Sequence, residues 1–87
     1  MSNKNLQSGT ISKGLIGIIF RMRQGCFLTQ HKATGNIEMV SDIYSFVDKI
    51  DYGNFEKLRR MKLIKYSDSR VVSKIYSLTE LGKSITL

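Results

Sequence analysis

Residues 55–82 read FEKLRRMKLIKYSDSRVVSKIYSLTELG, and this stretch decides the predicted fold. Its first part has helical spacing, with Phe55 and Leu58 on one face and charged residues on the other. An extended segment, a polar tip at 68–70 and a second extended run follow, and the β-branched residues of the second run favour a strand. Thr79 can cap a final helix. The stretch therefore predicts a helix, a β-hairpin and a terminal helix, in that order.

Two motifs in this stretch resemble parts of winged helix-turn-helix DNA-binding domains. Residues 58–64, LRRMKLI, are similar to the "leucine, three variable, Gly-Leu-Ile" end of a recognition helix, with Lys62 in place of the usual glycine. Residues 76–82, YSLTELG, look like the Tyr-x-Leu-Thr-x-x-Gly closure of the wing in MarR-type and PadR-type regulators. The resemblance implies an α+β, mostly α fold: three helices, a small antiparallel β-hairpin wing and a short C-terminal helix. Because Lys62 replaces the glycine, the helix must end without it.

Composition indicates one basic domain whose acidic residues are gathered in the middle of the chain. The 87 residues contain 14 Lys and Arg against 7 Asp and Glu, which gives a net charge of +7. Residues 1–36 carry +5, residues 37–55 carry −3 and residues 56–87 carry +5. A basic domain of this kind favours a polyanionic partner, most commonly nucleic acid. The alternative is that the charge serves only solubility.

The N-terminal part predicts an arm followed by a helix. We expect a flexible arm over residues 1–9 and a single domain over residues 10–87. Thr10 or Ser12 can cap a first helix that ends at Gly25, in the C′ position. The apolar arc of this helix is wider than a one-sided surface helix needs, which favours a homodimer interface; enclosure by the rest of the domain is the alternative. The predicted interface residues are Ile11, Leu15, Ile16, Ile19 and Phe20.

The middle of the chain is the hardest part to interpret. Residues 27–35 are expected to form a loop or a short extra turn, and residues 36–39 a short strand. Alternatively, Asn36 caps a longer helix that begins at Ile37. A second helix is predicted to begin at Ser41 and Asp42, and Asp51 can cap the third. The buried positions of the second helix would be Ile43, Phe46, Val47 and Ile50.

The hairpin is predicted to close the core. Its tip lacks glycine, so it is not expected to be a tight two-residue turn. Tyr66 and Tyr76 are interpreted as residues at the edge of the core. The apolar residues expected to close the sheet over the helices are Leu63, Ile64, Val71 or Val72, Ile75, Tyr76 and Leu78.

The resemblance implies that the third helix enters the major groove of DNA and that the wing lies on the adjacent minor groove. Asn54 can bond adenine, and Lys57 or Arg60 can reach guanine or a phosphate. An arginine at the wing tip, here Arg70, commonly lies in the minor groove. The alternative is a solvated basic face without a partner. The predicted DNA-binding residues are Tyr52, Gly53, Asn54, Lys57, Arg60, Ser69, Arg70 and Lys74.

Several classes of function are not expected. The sequence has no glycine-rich phosphate loop and no nucleophile motif, and one cysteine, one histidine and scattered carboxylates do not make a metal site, so we predict no enzyme, metal or cofactor. The chain is too short for a ligand pocket beside the wing. The single Cys26 fits a reducing compartment, and the longest apolar run, residues 15–20, is too short to cross a bilayer. We therefore expect a cytoplasmic protein without membrane contact.

The predicted function is sequence-specific binding of double-stranded DNA by a small transcriptional regulator that acts as a homodimer. The alternative is a winged-helix module for protein interaction or assembly, which would have a protein partner. A nearer alternative keeps DNA binding but serves replication, segregation or recombination.

Overall fold

A computed structural model of the chain describes residues 11–41 and 47–87. The strands form a single antiparallel sheet in the order β3-β2-β1-β5-β4. The elements, in chain order, are α1 (Lys13–Arg23), β1 (Cys26–His31), β2 (Ile37–Ser41), β3 (Val47–Ile50), α2 (Tyr52–Arg60), β4 (Ile64–Ser69), β5 (Ser73–Leu78) and α3 (Glu80–Ser84). No helix in the described part of the chain is long and apolar enough to cross a membrane.

The five-stranded sheet corrects the predicted fold. Of the described residues, 38% lie in strands and 35% in helices, so the protein is not a mostly α winged helix-turn-helix domain. The predicted second helix is wrong at Val47 and Ile50, which belong to β3, and at Ser41, which ends β2. Helical spacing of a few apolar residues is ambiguous, and here pairing of β3 with β2 decides the conformation. The parts of these predictions that lie outside the described residues are the arm at 1–9, Thr10, Asp42, Ile43 and Phe46.

The central strand of the sheet is β1, where a loop or short turn was predicted. Leu28 lies opposite Met39 of β2 on one side and opposite Tyr76 of β5 on the other. Leu28 and Met39 have no exposed surface. Pairing along both edges satisfies the backbone of β1, so Gln30 and His31, which have no strong strand preference by themselves, still adopt extended structure.

The core forms where the helices cover the sheet. Leu15 and Ile19 of α1 and Phe55 and Leu58 of α2 are fully buried in it. The prediction that the hairpin residues close the core is confirmed for Leu63, Ile64, Tyr76 and Leu78, whereas Ile75 is buried but lies outside the core cluster. It is wrong for both valines, since Val71 is 93% exposed and Val72 is 59% exposed.

The predicted helix caps are confirmed. The Ser12 hydroxyl accepts the N–H of Leu15 at 3.3 Å, and Gly25 follows α1 with a φ of 110°. The Asp51 carboxylate accepts the N–H of Asn54 at 3.3 Å at the start of α2. Thr79 accepts the N–H of Gly82 at 3.0 Å. The order of helix, hairpin and terminal helix in the second half of the chain is therefore as predicted.

The helix α2 ends in a left-handed residue, although Lys62 stands where glycine is usual. Lys62 has a φ of 61°, the left-handed conformation that glycine adopts most easily. Its N–H donates to the Arg59 carbonyl oxygen, and the N–H of Leu63 donates to the Leu58 carbonyl oxygen, both at 3.0 Å. These two bonds make a Schellman motif, and Leu63 and Leu58 supply its apolar contact. The lysine thus takes the backbone role of the missing glycine.

The tip of the hairpin lies two residues later than predicted. Asp68 and Ser69 belong to β4, and the N–H of Arg70 donates to the Ser73 carbonyl oxygen at 2.7 Å. This bond leaves Val71 and Val72 as the two residues at the tip. The strands themselves end at Ser69 and resume at Ser73, so three residues join them, which agrees with the expectation that the tip is not a tight two-residue turn.

Candidate nucleic-acid interface

A chain of aromatic rings joins α2 to the hairpin. The Tyr52 and Phe55 ring centroids are 6.0 Å apart. Phe55 meets Tyr76 of β5 edge to face, with centroids 4.9 Å apart and planes at 87°. Tyr76 in turn contacts Tyr66 of β4 at 6.0 Å. Because edge-to-face pairs fix geometry as well as bury area, α2 and the hairpin form one structural unit.

The outer face of α2 is basic. Lys57 and Arg60 are exposed and lie opposite the buried Phe55 and Leu58, as the helical spacing predicts. Within the described residues, neither cation lies within 4.0 Å of a carboxylate. Both side chains are therefore free to meet an anion.

A hydrogen-bonded group of three side chains lies beside this face on α2. The Tyr52 hydroxyl donates to the Glu56 carboxylate at 2.8 Å, and the Arg59 guanidinium donates to the same oxygen at 2.9 Å. The hydrogen bond from Tyr52 and the charge of Arg59 hold the pKa of Glu56 below its ordinary value. The same hydrogen bond, together with the Glu56 charge, raises the pKa of Tyr52. Tyr52 therefore lies at the surface with its hydroxyl already engaged.

Arg59 also belongs to this part of α2, although it is not among the predicted DNA-binding residues. Its guanidinium carbon lies 5.8 Å from the centroid of the Phe55 ring, four residues earlier, besides pairing with Glu56 three residues earlier. Both spacings join neighbouring positions on one side of a helix, and they were available as a signal. Both contacts of Arg59 lie within α2, and the pairing with Glu56 partly neutralises its charge.

The first turn of α2 differs from the predicted arrangement at Asn54. This residue is half-buried, and its amide nitrogen would lie 3.4 Å from a Cβ placed on Gly14 of α1. The side chain therefore lies against α1, which makes it a poor candidate for reading bases. Gly53 is exposed, but the capping carboxylate of Asp51 lies beside it. The basic part of the helix is its second half.

The hairpin adds cations beyond the end of α2. Ser69, Arg70 and Lys74 are exposed, and Ser69 pairs with Lys74 in the ladder. Lys74 is two residues before Tyr76 on β5, so it lies on the face of the sheet that carries α2. The N–H of Lys32, in the turn after β1, donates to the Val72 carbonyl oxygen at 2.8 Å. Lys32 therefore joins the basic residues around the tip.

The acidic residues of the described chain are largely engaged in the scaffold. Asp48 of β3 pairs with Arg21 of α1 at 2.9 Å, and Asp51 caps α2. Glu80 lies 3.8 Å from Lys83 within α3. The cations of α2 and the hairpin that have no carboxylate partner among the described residues are Lys57, Arg60, Lys62, Lys65, Arg70 and Lys74.

The predicted dimer interface on α1 is mostly internal. Leu15 and Ile19 have no exposed surface and Ile11 is only 7% exposed, so these three side chains cannot pack against a second molecule. The alternative, enclosure by the rest of the domain, therefore holds for these three residues. The five-stranded sheet covers more of α1 than a two-stranded wing would. Ile16 is half-buried, and Phe20 is 56% exposed. Among the predicted interface residues, Phe20 has the largest exposed fraction.

A cavity of about 680 Å³ lies away from the outer face of α2. It is an open depression between the end of α1, the hairpin strands and α3, with Arg23, Lys65 and Lys83 in its wall. Within the described residues, no group of three or more His, Cys, Asp or Glu side chains could hold a metal. The candidate interface is therefore the exposed basic face of α2 and the hairpin tip, and this cavity is not part of it.

Comparison with protein-family models, with curated proteins and with solved structures finds no match.

Proposed function

We propose that the protein binds double-stranded DNA sequence-specifically, with the outer face of α2 in the major groove and the hairpin tip on the adjacent minor groove. The observation that carries this proposal is the aromatic coupling of α2 to the hairpin. It presents the unpaired cations Lys57, Arg60, Arg70 and Lys74 from one unit. Phosphate contacts by such cations supply most of the affinity of DNA-binding proteins.

The dimensions of the unit support this arrangement. The nine residues of α2 span about 13 Å, and an α-helix fits the major groove, which is about 12 Å wide. Tyr76 lies beside α2, and the four or five residues from it back to the tip span about 15 Å in extended conformation. Half a helical turn of duplex is about 17 Å. A helix in one groove therefore leaves the tip close to the next groove.

Roles follow from the position of each cation. Arg60 and Lys57, on the outward face of α2, are the candidates for guanine recognition and phosphate contact. Lys74 and Arg70, along the hairpin, contact the backbone and the minor groove, where a concentrated negative potential attracts arginine. Asn54 has no part in base recognition in this proposal, since its amide lies against α1. The proposal includes a cytoplasmic location, where DNA is accessible and the unpaired Cys26 fits a reducing environment.

Selection of bound duplexes from random DNA by the purified protein tests the proposal. We expect a recurring sequence motif, and two copies at a fixed spacing would also report a dimer on DNA. A matched selection with the double variant Lys57→Gln and Arg60→Gln should lose the motif, because both substitutions are on the exposed face and leave the core intact. Recovery of unrelated sequences by the wild-type protein would contradict sequence-specific binding.

A further inference from the structure

The tip of the hairpin exposes two adjacent valines that do not pack in the core. Val71 is 93% exposed and Val72 is 59% exposed, although valine is usually a core residue. They are the two residues between Arg70 and Ser73, whose backbone bond closes the hairpin at 2.7 Å. Two adjacent exposed valines at the tip of a hairpin form an apolar surface that a binding partner can cover.

A hydrogen bond from the neighbouring turn after β1 also fixes the tip. The N–H of Lys32, in the turn after β1, donates to the Val72 carbonyl oxygen at 2.8 Å. The neighbouring His31 ring stabilises that turn, since its Nδ1 accepts the N–H of Ala33 at 3.2 Å. The hydrogen bond between the two turns fixes the backbone at the valines. Insertion of their side chains into a partner therefore does not first require the tip to become ordered.

Cations surround the valines. Arg70 precedes them in the chain and Lys74 follows them after one residue. Lys32 lies in the neighbouring turn, bonded through its backbone to Val72. None of these three has a carboxylate within 4.0 Å in the described structure. The partner of the tip must therefore offer an apolar interior within reach of a dense negative surface.

Resting on the proposed DNA binding, we propose that Val71 and Val72 form an apolar wedge that enters the minor groove, partly unstacks one base step and bends the duplex. Stacked bases present an apolar interior between two rows of phosphates, which matches the arrangement at the tip. Apolar side chains inserted at the minor groove kink DNA by about 20–90° towards the major groove. A bend in that direction would bring the flanking duplex towards α2, where Arg60 and Lys57 can add phosphate contacts.

A lipid surface is the other partner with an apolar interior and anionic groups. Two valines bury little apolar area for membrane attachment, which normally takes a long amphipathic face or an acyl chain. Opening a base step, by contrast, takes only one or two side chains. A tip of two valines therefore suits DNA better than a membrane, and membrane binding is an outcome that the experiment can detect.

The test measures binding and bending separately on a selected duplex of about 30 base pairs. Anisotropy reports binding, and energy transfer between dyes at the two ends reports the bend. The variant is Val71→Thr with Val72→Thr, which preserves shape and strand preference but removes the apolar character. The matched control is Val47→Thr, because Val47 is 59% exposed on β3, far from the tip in the sheet order.

We expect the wild-type protein and the Val47→Thr control to shorten the end-to-end distance of the duplex. The double variant should bind within about tenfold of the wild-type affinity but lose at least half of the bend. Binding by the wild-type protein to a duplex that stays straight, or equal bending by the double variant, would overturn the wedge while leaving DNA binding in place. No binding by the wild-type protein would overturn the proposed function and the wedge with it. Binding to phosphatidylserine vesicles that the double variant loses, with bending unchanged, would assign the tip to membranes instead.

Discussion

Phe55 in α2 meets Tyr76 in β5 edge to face, with ring centroids 4.9 Å apart and ring planes at 87°. This contact fixes α2 on the hairpin and so sets the position of the basic helix relative to the tip. Phe55 has no exposed surface and Tyr76 is 7% exposed, so the pair belongs to the core as well as to the candidate interface. Stability and the geometry of the surface therefore depend on the same two residues.

Replacing Phe55 by Leu should destabilise the protein by about 1–2 kcal/mol. Leucine keeps the site apolar but loses both the edge-to-face contact with Tyr76 and the contact with the Arg59 guanidinium. Urea unfolding followed by circular dichroism measures the change. Phe20→Leu is the matched control, because Phe20 is 56% exposed and its replacement should change stability by less than about 0.5 kcal/mol. Equal effects of the two substitutions would refute the packing described for Phe55.

Replacing Lys62 by Gly should stabilise the protein by about 0.5–1 kcal/mol. At a φ of 61° the lysine Cβ crowds the backbone, and glycine removes that strain while keeping the Schellman bonds. Lys62→Ala is the control, since alanine removes the charge but keeps the Cβ. If thermal unfolding shows the glycine variant to be no more stable than the alanine variant, the left-handed conformation of Lys62 is not strained.

Replacing Tyr52 by Phe should raise the pKa of Glu56 towards its ordinary value near 4.5. The Tyr52 hydrogen bond is the largest cause of the lowered pKa, because it stabilises the charged carboxylate. NMR titration of the Glu56 side-chain carbonyl carbon measures the shift. Tyr66→Phe is the control and should leave the Glu56 titration unchanged.

The same group predicts a pH dependence of stability. Since the folded-state pKa of Glu56 lies below the unfolded value, its stabilising contribution is present above about pH 4.5 and is lost as the pH falls through the folded pKa. Glu56→Gln should therefore make the stability curve flatter below pH 4.5 than that of the wild-type protein. A curve as steep as the wild type would contradict this role.

Local signals predicted the helix caps and the second half of the fold, and long-range pairing decided the strands of the first half. The caps at Ser12, Asp51 and Thr79 are short-range chemistry, so the sequence identifies them directly. The strand β1 becomes a strand because β2 and β5 flank it, and no local pattern in Thr29-Gln30-His31 contains that information. The i, i+3 spacing of Val47 and Ile50 fits one face of a helix, whereas in a strand the two residues lie on opposite faces, so pairing with β2 overrides the local pattern.

The candidate site divides in the same way. Helical spacing alone places Lys57 and Arg60 opposite Phe55, and the structure confirms their exposure. The position of Asn54 depends on α1, which packs beside the first turn of α2. The exposure of Val71 and Val72 depends on where the hairpin turns, and the ladder fixes that turn two residues later than its composition suggests.

Fluorescence anisotropy of the selected duplex with three proteins, the wild type, Arg60→Ala and Lys83→Ala, tests the central claim most directly. Arg60 lies on the outer face of α2, whereas Lys83 lies in α3 beside Glu80, so the second variant removes the same charge elsewhere. We predict that Arg60→Ala weakens binding about tenfold or more, as expected for loss of a base or phosphate contact, and that Lys83→Ala changes it by less than about threefold. Equal effects of the two substitutions, or no wild-type binding below about 10⁻⁶ M at low salt, would contradict the assignment of α2 as the DNA-binding helix.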